Sequence, residues 1–127
     1  MKKILAIDFG TQRIGLAVNK HVLAEPLSIL NNDDLIFKKI GKIIDSEKIN
    51  LILLGLSENK MAQRTKIFAQ ELEKNTTIPL EFVDETLSSK NVHQKLATSA
   101  MKLKKRQGPI DHYAAADFLQ EWLDINY

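Results

Sequence analysis

Apolar positions along the chain fall into two periods, and the change between them outlines the fold. The first third is strand-like: "KKILAID", "RIGLAVN" and "LAEPLSIL" are apolar blocks separated only by "FGTQ" and "KHV". Gaps this short join antiparallel neighbours, so the three blocks predict a meander. Pro26 cannot donate to a ladder, which places the third strand at an edge or a bulge. The period then lengthens. Ile36, Ile40, Ile43 and Ile44 form one stripe of a helix, and Asn32, Asp33 or Asp34 can cap its start. "INLILLGL" is a continuous apolar run, as expected of a strand covered on both faces. "KMAQRTKIFAQELEK" reads as a helix with Met61, Phe68 and Leu72 on one side, and "IPLEFVDE" as a further strand. "SSKNVHQKLATSAM" predicts a helix starting after Ser88 or Ser89. Gly108-Pro109 breaks it, and "DHYAAADFLQEWLDI" closes the chain as a last helix.

The order is β-β-β-α-β-α-β-α. Strands one, four and five are joined through helices, so they should run parallel with right-handed crossovers. The expected fold class is α/β: a mixed five-stranded sheet with helices on both faces. No linker or repeat divides the chain, and its 127 residues suit one domain spanning 1–127.

Parallel strands share a carboxyl edge, and open α/β sheets bind ligands there. Asp8 ends strand one and Glu85 ends strand five, so both arrive on that edge. Asp111 begins the last helix. Ala114, Ala115, Phe118, Leu119 and Trp122 follow it at helical spacing, which puts Asp111 on the buried face. Asp117 falls off that stripe and reads as solvated. Three crowded carboxylates raise one another's pKa, and a divalent cation removes that cost. Two such ions about 3.5–4 Å apart can activate water and stabilise the leaving oxygen of a phosphodiester. Gly10 would allow close backbone approach, while Thr11 and Arg13 could donate to phosphate oxygens. Each piece has a plainer reading. Asp8 suits a turn, Asp111 a helix cap, and Asp84-Glu85 a solvated pair. Both faces of strand five are expected to be covered, so alternation does not choose between Asp84 and Glu85. On the pattern alone the metal site and the plainer readings both stand.

Composition narrows the chemistry. The chain has no cysteine, which removes disulfides and thiolate catalysis and fits a reducing compartment. His21, His93 and His112 are scattered, with no ligand pair for a zinc site. A metal would then be held by carboxylates, which suit Mg2+ or Mn2+. The formal net charge is only +2, but Lys102, Lys104, Lys105 and Arg106 form a basic run without an acid. Such a run can bind polyanions or simply be a solvated face. The apolar runs are too short to span a membrane. Asp8 interrupts the leading one before it reaches signal-peptide length, so a cytoplasmic protein with no membrane partner is expected.

These residues also resemble a known family. "LAIDFGTQRIGLAV" is similar to the opening D-x-G-x-x-R-I-G-x-A motif of the YqgF family. "EPL" and "LILLGL" resemble its third and fourth strands, and "FVDETLSS" its V-D-E-R-[LY]-[ST]-[ST] motif. "KKRQGPIDHYAAADFLQEWL" resembles its basic loop followed by D-x-x-A-A-x-x-[IL]-L-Q. The likeness runs nearly end to end and implies a ribonuclease-H-like fold and a metal-dependent nuclease with a presumed two-ion site. It implies that Asp8, Glu85 and Asp111 are the acidic trio, that Arg13 is the arginine of the first motif, and that Lys104, Lys105 and Arg106 are the basic loop. Members are described as nucleases trimming the 5′ end of pre-16S ribosomal RNA and have also been named Holliday-junction resolvases. Two departures bear on substrate range: Ser57 stands where relatives have proline, in a shortened loop, and Thr86 where they have arginine.

Three functions follow. The first is an endonuclease on structured RNA, with ribosomal precursor particles as a candidate partner. The second applies the same chemistry to branched DNA, and resolving a four-way junction would need a two-fold dimer. The third is a nucleic-acid-binding module without catalysis, in which three carboxylates near phosphate would gain nothing. The D-x-G-T pattern also resembles the phosphate loop of actin-like ATPases. Those close two such domains over a nucleotide, and this chain has length for one.

Overall fold

Alternation along the central strand creates two apolar surfaces. In β1 (Ile4–Asp8), Leu5 and Ile7 join one core, while Ile4 and Ala6 join the other. The computed structural model describes residues 1–56, 61–84 and 110–127, with the side chains of residues 110–113 outside the description. Around β1 lie β2 (Arg13–Lys20), β3 (Leu23–Asn31), β4 (Leu51–Leu56) and β5 (Leu80–Asp84), in the sheet order β3-β2-β1-β4-β5. The β1–β2 and β2–β3 pairs are antiparallel, and β1–β4 and β4–β5 are parallel. This is the mixed sheet expected of a meander followed by two crossovers. The helix expected over residues 88–101 lies outside the described residues.

Helices α1 (Ile36–Glu47) and α2 (Met61–Asn75) cover one face. Ile36, Ile40 and Ile44 of α1, with Phe68, Ala69 and Leu72 of α2, pack on Leu5, Ile7, Leu16, Ile52 and Leu54. Helix α3 (Ile110–Asn126) covers the other. Its Ala115, Phe118, Leu119 and Leu123 pack on Ile4, Ala6, Ala17, Leu51 and Leu53. No helix among the described residues is long and apolar enough to cross a membrane.

Helix α1 starts differently from the expected side-chain cap. Leu35 occupies the N-cap and makes no capping bond. Asp33 instead turns the chain in: its Oδ1 accepts from the Leu35 amide at 3.0 Å, and it pairs with Lys39 at 3.2 Å. The Leu35 amide, then Lys39, holds the Asp33 carboxyl below its ordinary range. At the other end Lys48 adopts a left-handed conformation (φ 54°), and the Ile49 amide closes on Ile44 O at 3.0 Å.

Edge strand β3 combines both devices that Pro26 suggested. Its register slips opposite Leu16 and Ala17, skipping Leu27 between Pro26 and Ser28. Gln120 of α3 then secures the start of the strand. Its Oε1 accepts from the Ala24 amide at 2.8 Å, and its Nε2 donates to Val22 O at 2.8 Å.

Asn19 holds the first residues to the β2–β3 turn, and its place in "LAVNK" was its only sequence signal, a polar residue within an apolar strand. It is 2% exposed. Its Oδ1 accepts from the Ile4 amide at 2.7 Å, and its Nδ2 donates to Lys2 O at 2.9 Å and His21 O at 3.0 Å. Asn19→Ala would strand the buried Ile4 amide, and leaving one buried donor unmet costs about 1–3 kcal/mol. Urea denaturation should therefore show a loss of about 2 kcal/mol or more; a loss under about 0.5 kcal/mol would mean that water replaces the side chain.

Two expectations are corrected here. Strand β5 is not covered on both faces, because it is an edge strand whose Glu81, Phe82 and Asp84 are exposed. Asp117 is not simply solvated. It is half-buried, with its Oδ1 enclosed by α3's surroundings, because α3 packs over a broader arc than the stripe predicted and also buries Ala116.

Candidate active site

The carboxyl end of β1 is the focus. Asp8 is half-buried and shares the face of Ile4 and Ala6, so its carboxylate stands on the α3 side of the sheet. Its partner across β1–β2 is Gly15. On the other flank, Gly55 follows Leu54, the partner of Ile7. Both neighbouring strands therefore present a glycine, which has no side chain, at the level of the carboxylate. Glycine inside a strand often marks such close approach by a ligand.

Phe9 leaves on the opposite face and anchors the loop. Its ring lies 5.0 Å from that of Phe68, which lies 5.3 Å from Phe37. Beyond it, the loop is tied to the β3–α1 connection. Asn32 Nδ2 donates to Gly10 O at 2.9 Å, and the Asn32 amide donates to Gln12 O at 2.8 Å. Sequence reasoning saw Asn32 only as a possible cap.

Gly10 is required by packing. A Cβ there would collide with the carbonyl oxygen of Arg13, which is backbone held in the β2–β3 ladder through the Arg13–Asn31 pair. Gly10→Ala should cost on the order of 1–3 kcal/mol, as overpacking against an unyielding neighbour does. A thermal melt matching wild type would show that the loop can shift freely.

Thr11 and Arg13 are exposed beside this loop, and strand alternation puts Arg13 on the same face as Gly15 and Ala17, hence on the side of Asp8. Asp111 falls in the first turn of α3, one residue past its first helical position. Ala115 and Phe118, four and seven residues later, are buried on the sheet. Glu85, Thr86, Ser57 and the basic run with Lys102, Lys104, Lys105 and Arg106 lie outside the described residues. Among the described residues no three carboxylates or histidines converge. Of the acidic trio, Asp8 is the member whose side chain is described.

The choice between Asp84 and Glu85 becomes sharper. Val83 joins the α3-side core, and Leu80 joins the α1/α2 side. Asp84 pairs with Leu56, in the alternation of Leu80 and Phe82, so it stands on the face opposite Asp8. It is therefore the weaker partner for Asp8.

Comparison with known proteins gives a consistent answer. A family model described as "RuvX: Holliday junction resolvase" matches residues 2–125. A protein from a Sulfurihydrogenibium species, named "Putative pre-16S rRNA nuclease", is 36% identical over 98% of this chain and 91% of its own. One of the same name from Maridesulfovibrio salexigens is 32% identical over 95% and 97%. Among solved structures, T. thermophilus RuvC in complex with a Holliday junction substrate superposes with a TM-score of 0.73. It is 12% identical, over 99% of this chain and 96% of that one, a likeness of fold. The chain belongs to the RuvX (YqgF) family of nucleases and has their ribonuclease-H-like fold.

Proposed function

We propose that this chain is a metal-dependent endonuclease that processes the 5′ end of pre-16S ribosomal RNA. The observation that carries the reading is Asp8: a carboxylate at the end of the central strand, on the α3 side, flanked by two glycines. The names of its relatives point to this substrate. A set of carboxylates alone suits a hard cation. Asp8, Glu85 and Asp111 would hold Mg2+ or Mn2+. Bound there, the ions would supply an activated water and a countercharge for the leaving oxygen.

The remaining work belongs to the chain. The buried strand fixes Asp8, and the loop tied by Asn32 limits its motion. Gly10 keeps the turn low, so that Thr11 and Arg13 can donate to phosphate oxygens. Lys104, Lys105 and Arg106 would neutralise phosphates flanking the cut, with a salt-dependent gain in affinity. Ribosomal precursor particles in the cytoplasm are the natural partner for this role.

The family description favours a second reading, a four-way DNA junction in the same site. It requires a two-fold dimer for symmetric cleavage. Matched RNA and DNA substrates separate the two, because selection for RNA depends on the 2′-hydroxyl. A precursor ribosomal RNA fragment should be cut in Mg2+ while a synthetic junction survives. Preferential junction cleavage by a dimer would reverse the assignment.

A further inference from the structure

The opposite end of the sheet carries a second cationic feature. Lys2 and Lys3 lead into β1, Lys20 ends the antiparallel β2 and His21 follows it, so all four gather at the end remote from Asp8. With Met1 and Asn19 they line an open cleft of about 330 Å³. The cleft is built around buried Asn19. Its side chain binds the backbone of Lys2 and His21, and Lys3 Nζ donates to Asn19 O at 2.8 Å. Asn50 secures the same segment, its Oδ1 accepting from the Lys3 amide at 2.9 Å. His21 is held in a left-handed conformation (φ 56°) at the turn. Among the described residues, Lys2, Lys3, Lys20 and His21 have no carboxylate within ion-pair distance.

Unneutralised cations on a fixed backbone attract polyanions. Lys2 and Lys20 are exposed and can adjust to a run of phosphates. Lys3 precedes Asp8 by five residues, about 17 Å of extended strand. A duplex advances about 3.4 Å per phosphate on each strand, so that span equals about five phosphates. We propose that this cleft is a second contact for the phosphodiester backbone of the nucleic-acid substrate, engaging a part that is not cut. The identity of the polyanion rests on the nuclease reading; the test reads binding in EDTA, without cleavage, so the two can fail separately.

The probe is a fluorescent RNA hairpin titrated with full-length protein between 50 and 200 mM KCl, roughly the range where counterion release is steep. The Lys2→Ala/Lys20→Ala variant spares Asn19 and Lys3. A Lys38→Ala/Lys42→Ala control removes equal charge from the exposed side of α1. The cleft variant should bind about tenfold more weakly, and the slope of log K against log salt should fall by about 1.5 to 2, with an unchanged melting temperature. The control should match wild type. An unchanged slope in the cleft variant, an equal loss in the control, or no hairpin binding by wild type would overturn the proposal. So would a variant that loses only its binding to anionic lipid vesicles. Binding in EDTA followed by no cleavage in a separate incubation with Mg2+ would sink the nuclease reading and leave this one standing.

Discussion

Asp8→Asn should reduce divalent-dependent cleavage of structured RNA by at least about a hundredfold while leaving the melting temperature within a few degrees of wild type. Asparagine has nearly the same shape, so the strand end and the Asp8–Gly15 pairing remain. The change removes one negative charge and a strong ligand for a hard cation. If three carboxylates crowd this edge, removing one charge also relieves repulsion, and the metal-free variant could become slightly more stable. The measurement is kcat/KM with saturating Mg2+, beside a thermal melt in EDTA. Wild-type cleavage by the variant would remove Asp8 from the chemistry.

Phe118→Ala is expected to have the largest effect on stability. Phe118 is 1% exposed and stands in a core otherwise rich in small side chains, among them Ala6, Ala17, Ala115 and Ala116. Those alanines let α3 lie close to the sheet, and the Phe118 ring, the fully buried aromatic of this cluster among the described residues, fills the space they leave. Truncating a buried phenylalanine costs about 3–5 kcal/mol, because the surroundings only partly collapse into the cavity. For a domain of this size that lowers Tm by on the order of 10–20 °C. The helix alone cannot compensate, since its stability comes from packing. A loss below about 1 kcal/mol in chemical denaturation would show that α3 is not held by this contact.

The sequence disclosed the fold where one period dominates. The Ile36, Ile40 and Ile44 stripe and the unbroken "LILLGL" run each allowed one arrangement, and short connections fixed the meander. Pro26 marked both an edge and a bulge because a missing amide is visible in the sequence itself. What stayed hidden depends on partners distant in the chain. Nothing local tells that Gln120 meets Ala24, that Asn32 ties down Gly10, or that Asn19 closes over Ile4. Asp117 departs from its expected exposure for a related reason: α3 is buried beyond the predicted stripe, at Ala116 as well. At the candidate site, topology placed Asp8 at the carboxyl end of the central strand, where the structure has it. Only the faces taken by Leu80 and Val83 set Asp84 on the side opposite Asp8.

The helix that carries position 111 also closes the second core, and this has a consequence for synthesis. Ile4, Ala6, Ala17, Leu51 and Leu53 emerge from the ribosome early, but their cover comes from Ala115 to Leu123. Until that segment is made, half the sheet is a bare apolar surface, attractive to chaperones and to other nascent chains. Closing it and delivering the last carboxylate of the proposed trio are one event. On the proposed function, an unfinished chain would lack a complete cutting edge and would spare the ribosome that is making it.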